Sequence, residues 1–329
     1  MDKTISCSKM IREENEKDKW VSAQDLLDMK IVDVPKLWDP FLPHKGLAML
    51  TGSSDCGKSI LLRQLAVAIV QGCPEFLGYP LNPKAAVVYY VSTEDEPESL
   101  SAWLNKNIYD FDKKNSDFLE GLFFLCSDTP ELVDTLDKKL SQAPADMVVI
   151  DTWADSFYGN PNNLVDVRTN LNELKALAIK HECLFVLLHH TVKHSDKSSP
   201  DKGKLNGSGA IEQKVRSLLE LRKGDQLGTR YLSVLKNNYM SEKSKEESLK
   251  LSFDEDRLEL VNTGDTISLK ADGKGEAQTI YDKPLWVERM NKLRKEAGYS
   301  YEAARNHMIT RYPGENIPSL TWFKINCKQ

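Results

Sequence analysis

Paired cysteines are missing from this sequence. Its six cysteines (Cys7, Cys56, Cys73, Cys126, Cys183 and Cys327) never form a C-x-x-C pair, and several stand in apolar stretches. That pattern suits buried free thiols in a reducing compartment rather than a disulfide framework. Long apolar runs are missing as well: stretches such as Leu184–Leu188 are far too short to span a bilayer. Nor is there an excess of positive charge. The 44 basic and 49 acidic residues leave a formal net charge of -5, which excludes a protein whose whole surface grips nucleic acid. A local basic loop, or a basic channel made on assembly, stays open. The segment Lys3–Lys19 is polar and mixed in charge, unlike a signal peptide. These absences set the expectation of a cytoplasmic protein with no membrane partner.

What is present is enough for a sizeable core: 329 residues, 40% of them hydrophobic, hold one large domain and something smaller. Residues 1–45 read as a polar leader ending in a connector punctuated by Pro35, Pro40 and Pro43. Residues 46–263 then alternate apolar strands with helical stretches. Strands are expected at Leu47–Thr51, Ala85–Ser92, Leu122–Cys126, Met147–Asp151 and Leu184–His190. Helices are expected at Lys58–Gln71, Pro97–Ile108, Pro130–Leu140 and Leu164–His181. Continuous apolar strands separated by helices predict an α/β fold, its mostly parallel sheet covered on both faces. Arg216–Arg222, Arg230–Asn237 and Ser248–Phe253 read as closing strands, residues 264–278 as a glycine-bearing linker, and 279–329 as a small helical tail.

The chemistry starts at Gly52-Ser53-Ser54-Asp55-Cys56-Gly57-Lys58-Ser59, which satisfies G-x-x-x-x-G-K-[ST], followed by Ile60. The glycines let the backbone turn its N–H groups toward a β-phosphate, and the next helix presents its positive end there. Lys58 reaches the β- and γ-phosphates, and the Ser59 hydroxyl ligates magnesium. A strand before the loop and a helix after it supply the context this motif needs. ATP and Mg²⁺ are the expected ligands.

Three strand ends can complete the site. Asp151 closes MVVID, where a carboxylate is suited to hold a magnesium water shell; it could also cap the next helix. Glu94 follows VVYYVS directly and can orient and deprotonate a water, or it can simply begin a helix beside Asp95 and Glu96. His189 and His190 end LFVLLHH, where a histidine could feel the γ-phosphate. A zinc site with His194 and Cys183 is a competing reading without supporting spacing.

These segments resemble the RecA-like ATPases, and among them most closely the RepA-type hexameric replicative helicases of plasmids and mobile elements. The resemblance covers roughly residues 35–240. It rests on GLAMLTGSSDCGKS, VVYYVSTEDE, VVIDTWADSF, LFVLLHHTVK, GSGAIEQKVRSLLEL and RYLSVLKNNY, all in the family's order. It implies a RecA-like twisted, mostly parallel sheet with helices on both faces. It also implies Glu94 as catalytic base, Asp151 as magnesium aspartate and His190 as γ-phosphate sensor. In such rings the nucleotide lies between subunits, so Arg216 is the implied cation reaching a neighbour's nucleotide, with Lys236 a second contact. Asn238 departs from the family pattern there. Both cations could equally be ordinary exposed strand residues. Loop 193–209, with Lys193, Lys197, Lys202 and Lys204 and no aromatic residue, corresponds to the segment touching single-stranded DNA.

The tail lies outside the resemblance. Leu285, Val287, Met290 and Leu293 recur near helical spacing, Gly298 interrupts, and Tyr299–Arg305 begins a second helix. Two short helices with Arg311 on the second suit a helix-turn-helix contact with duplex DNA, or a cap that docks on another subunit. The reading is a magnesium-dependent ATP hydrolase acting on single-stranded DNA in a homo-oligomeric, hexameric ring. The alternative is a DNA-binding regulatory ATPase whose nucleotide state controls assembly without unwinding.

Overall fold

A computed structural model describes residues 20–107, 119–127, 129–160, 163–191, 208–224, 226–268, 277–279 and 283–312. It also describes residues 317, 318, 320, 323, 324 and 327. The chain divides into two units, Met1–Pro35 and Lys36–Gln329. Among its described residues the first has a short helix, α1 (Ala23–Asp28), whose Ser22 hydroxyl accepts the Asp25 N–H at 3.0 Å as an N-cap.

The second unit is built on a ten-stranded sheet. In chain order the unit begins with β1 (Lys36–Trp38) and β2 (Leu42–Pro43), a separate two-stranded sheet, followed by β3 (Gly46–Gly52) of the large one. Helix α2 (Lys58–Val70) follows, then β4 (Glu75–Phe76), β5 (Tyr79–Pro80), β6 (Val88–Ser92), α3 (Pro97–Asn107) and β7 (Leu122–Cys126). Next come α4 (Leu132–Gln142), β8 (Met147–Asp151), α5 (Trp153–Ser156), α6 (Leu164–Lys180) and β9 (Leu184–His190). The last part holds α7 (Ser208–Lys214), β10 (Ser217–Lys223), β11 (Thr229–Asn237), α8 (Glu242–Lys245), β12 (Glu247–Asp254), β13 (Glu259–Ser268) and β14 (Ala277–Thr279). Helices α9 (Lys283–Glu296) and α10 (Tyr301–Arg311) follow the sheet.

The sheet order is β14-β13-β12-β11-β10-β3-β9-β8-β6-β7. From β10 to β7 every pairing is parallel, and from β10 to β14 every pairing is antiparallel. Parallel strands need covering on both faces, and successive residues divide accordingly. Ala48 and Leu50 of β3, Val186 and Leu188 of β9 and Tyr90 of β6 pack with Leu61, Leu62 and Leu65 of α2. Their neighbours Leu47, Met49, Phe185, Leu187 and Tyr89 pack with Leu136 of α4 and Leu171 and Leu174 of α6. Every central strand is buried on both sides, so its sequence is continuously apolar instead of alternating.

Two boundaries differ from the sequence reading. The globular unit starts at Lys36, ten residues before its expected start at residue 46, because Leu37, Trp38, Phe41 and Leu42 are buried in the core. The supposed linker begins inside the sheet: Gly264–Ser268 finishes β13, pairing with β12 and β14. Residues 269–276 of that segment lie outside the described residues, as do 193–207 of the proposed DNA loop; Ser208 and Gly209 open α7. Among the described residues no helix is long and apolar enough to cross a membrane.

Candidate active site

Parallel strands all end on the same side of a sheet, and crevices at those carboxyl ends are where α/β folds place ligands. Strand β3 ends there at Gly52, and its geometry explains both glycines of the motif. A Cβ on Gly52 would meet the Leu221 carbonyl oxygen at 2.1 Å, so β10 and the loop can pass only because the side chain is absent. Gly57 has φ +99°, a conformation that favours glycine, and forms the N-cap of α2 without a side-chain hydrogen bond. The first turn of α2 therefore keeps its N–H groups for another acceptor. Arg230 of β11 braces the loop from behind, its Nε donating to the Cys56 carbonyl at 2.8 Å.

Lys58, at the first position of α2, folds its ammonium back over the loop. Nζ donates to the Ser53 carbonyl at 2.8 Å and lies 3.4 Å from His190 Nδ1. His190 Nε2 in turn lies 3.7 Å from Glu94 Oε1. Residues 58, 94 and 190 are far apart in sequence yet form one continuous line, because β3, β9, β8 and β6 are neighbours in order. The β3–β9 register sets Gly52 opposite His190 and Thr51 opposite His189. His190 consequently faces the loop, while buried His189 meets the edge of Trp153 at 5.5 Å.

Glu94 is held by stitching between the ends of β6 and β8. Thr93 N–H donates to the Asp151 carbonyl at 2.8 Å, and Thr152 N–H donates to Thr93 Oγ at 2.9 Å. The Glu94 side chain stays 55% exposed, open to a water from solvent.

Asp151 is nearly completely buried, and its Oδ2 accepts the Tyr90 hydroxyl at 2.6 Å. Its Oδ1 has no hydrogen-bond partner among the described residues. Burial pushes its pKa up, against the Tyr90 and Ser59 hydroxyls and the Arg63 guanidinium, which favour the charged form. A carboxylate oxygen without a partner, buried near the first turn of α2, fits a hard divalent cation shared with the Ser59 hydroxyl.

Arg63 escaped the sequence reading. It is the one charge inside the apolar helix α2 after Lys58, and that isolation was the available signal. Its guanidinium bonds Asp95, lies 3.9 Å from Asp151 Oδ2, and stacks over Tyr90 and Trp103 at 5.8 and 5.9 Å. It thereby ties the acidic segment after β6 to the carboxylate of β8. This corrects the reading of Asp95 as a mere helix-start residue.

Two expected site residues are not in this crevice. Arg216 precedes β10, and its N–H donates to the Leu47 carbonyl, so it lies at the amino end of β3, across the sheet from the loop. Its side chain is exposed. Lys236 pairs across from Leu218 near that same edge, and its ammonium binds the Glu212 and Val215 carbonyls. It braces the turn from which Arg216 projects. A zinc site joining Cys183 to His190 is overturned by strand geometry. The two stand at opposite ends of β9, about 20 Å apart, and His194 lies outside the described residues.

The doubly covered sheet, the phosphate loop and the flanking carboxylates define a P-loop ATPase with a RecA-like fold. The chain belongs to the AAA domain family, whose model matches residues 12–196, more than half of its length. Its fold is similar to a solved structure titled "ATPase Domain of G40P", with a TM-score of 0.54 and 12% identity. That match covers 80% of this chain and 99% of the other. As many as 502 solved chains match the fold, so the fold alone does not choose an activity. No curated protein matches the chain.

Proposed function

We propose that this chain is a magnesium-dependent ATP hydrolase whose turnover drives action on single-stranded DNA, as one subunit of a hexameric replicative helicase of a plasmid or mobile element. The observation that carries the hydrolase reading is the line Lys58–His190–Glu94 beside an Asp151 carboxylate with one unpartnered oxygen. The loop Gly52–Ser59, with Ser53, Ser54, Asp55 and Cys56 between its glycines and Ile60 behind it, receives the phosphates. Lys58 then exchanges the Ser53 carbonyl for phosphate oxygen.

Ser59 and Asp151 would hold Mg²⁺, which when bound offsets charge on the phosphates. Glu94 takes a proton from a water whose oxygen bonds to the γ-phosphorus. The bond from that phosphorus to the bridging oxygen breaks, giving ADP and inorganic phosphate. His190 lies between Lys58 and Glu94, where it senses the presence of the γ-phosphate and relays its loss toward loop 193–209, the proposed single-strand contact.

Arg216 cannot reach its own loop from the far edge of the sheet. Its role is therefore to offset charge on a neighbouring subunit's nucleotide, which makes each site half of an interface.

Glu94→Gln is expected to lower kcat by about 10²- to 10⁴-fold while ATP still binds. Unwinding of a forked duplex should vanish with Lys58→Ala. Turnover unaffected by Glu94→Gln would remove the base. A monomeric mass with and without ATP and single-stranded DNA would remove the ring. The basic pair α9–α10 favours a second reading, a regulatory ATPase bound to duplex DNA through its tail; sequence-selective duplex binding without unwinding would decide for it.

A further inference from the structure

The helices α9 and α10 form a cluster of their own, in which Trp286, Met290, Ala304, Met308, Phe323 and Cys327 are buried together. Their charge contrasts with that of the chain. Between Lys283 and Tyr312 stand seven Lys or Arg residues and three Glu, whereas the whole protein carries a net -5. The positive charge is also ordered in space. Arg289 and Lys292 are three apart on α9, and His307 and Arg311 are four apart on α10, spacings that place each pair on one helix face. All four line a groove of about 190 Å³ between the helices, floored by Leu293 and Met308, with no acidic side chain among the described residues of its lining.

Part of this groove is preorganised. The Arg289 guanidinium lies 3.9 Å over the Tyr312 ring and 4.7 Å over Trp286. Stacking fixes the guanidinium plane, so less side-chain entropy is lost when an anion binds. It also covers the Tyr312 face that could otherwise stack on a base. Lys292 and Arg311 are exposed at the rim. A concave site with cations on both walls and its ring face already covered reads charge and not base identity.

We infer that the groove between α9 and α10 binds the phosphate backbone of nucleic acid through Arg289, Lys292, His307 and Arg311. This rests on the reading of the chain as a DNA-acting ATPase and assigns the tail's part in it. The groove is remote in sequence from the nucleotide loop and keeps its own core, so backbone binding here needs neither ATP nor Lys58.

The test uses the full chain, without nucleotide, titrated onto a fluorescent duplex and onto a fluorescent single strand across a series of salt concentrations. Lys292→Glu with Arg311→Glu is expected to weaken binding of at least one probe by tenfold or more. The milder Lys292→Gln with Arg311→Gln should lower the slope of log affinity against log salt by about 1.8 for duplex, or about 1.4 for single strand. Both rim residues are exposed, and an unchanged melting temperature verifies that the cluster is intact. A charge-matched control, Lys106→Glu with Lys138→Glu, should leave affinity near that of the unaltered chain. Unchanged affinity and slope in the groove variants, or an equal loss in the control, would overturn the inference. Lys58→Ala separates it from the ATPase reading: groove binding should persist there while turnover is lost. Turnover that survives Lys58→Ala would sink the ATPase reading and leave the groove standing.

Discussion

The two ends of strand β8 carry the same residue in opposite circumstances. Asp146 precedes the strand and Asp151 closes it, and both are buried. Asp146 is saturated: it accepts the Lys84, Ala85 and Ala86 N–H groups at 2.7, 3.0 and 2.7 Å. Asp151 takes the Tyr90 hydroxyl on one oxygen and has no hydrogen-bond partner among the described residues on the other. A saturated buried carboxylate ties a loop down and has nothing left to offer a ligand. An incompletely satisfied one holds free energy in reserve for a cation, at a cost to the apo protein. Position in the sheet decides which is which, because only the carboxyl end of a parallel strand opens on the crevice.

The sharpest way to break this comparison is to neutralise each end in turn. Asp151→Asn is expected to raise the Mg²⁺ concentration for half-maximal ATP turnover by about 10- to 100-fold. The same change at Asp146 should leave it within error. Equal metal dependence in both variants would show that Asp151 does not serve a cation.

Asp146→Ala tests the other end. It strands three backbone N–H groups, and loss of stability by roughly 1–3 kcal/mol follows from their lost partners. Denaturant titration measures this, with ATP affinity of the folded fraction unchanged.

The smallest expected effect concerns pH. Burial raises the Asp151 pKa in the folded chain, so the folded state disfavours its charge. Stability from this group is complete below the unfolded carboxylate pKa and is lost as pH rises through the folded value. Asp151→Asn should therefore melt higher than the unaltered protein at neutral pH. That advantage should fade as pH falls into the ordinary carboxylate range. A variant that melts lower at neutral pH would mean that Arg63 and Tyr90 already offset the buried charge.

Much of the parallel half of the sheet was legible because each central strand is a short apolar run bounded by polar turns. The expected strands Leu122–Cys126 and Met147–Asp151 agree with β7 and β8 in both bounds. Strand β13 was not legible. Its inward positions include Asn262, Gly264 and Thr266, which carry no apolar period. Their burial is made tolerable by bonds such as Asn262 Nδ2 to the Leu77 carbonyl at 2.7 Å, a partner remote in sequence. With a glycine among them, the segment looked like a linker.

The candidate site divides in the same way. Gly52–Ser59 is contiguous, so its chemistry could be read without any fold, and Asp151 and Glu94 were visible as carboxylates ending apolar strands. Their order along the chain says nothing of distance. Sheet order brought His190 between Lys58 and Glu94, and Arg63 beside both Asp95 and Asp151. It also carried Arg216 to the opposite edge and gave Lys236 to the carbonyls of Glu212 and Val215.

The sequence by itself thus determined where the phosphate-loop motif stands, because that motif needs only local backbone freedom, a lysine and a helix start. The tertiary structure alone decided which other groups stand beside it. Proximity there is a property of strand order and register, and neither is written in any single segment.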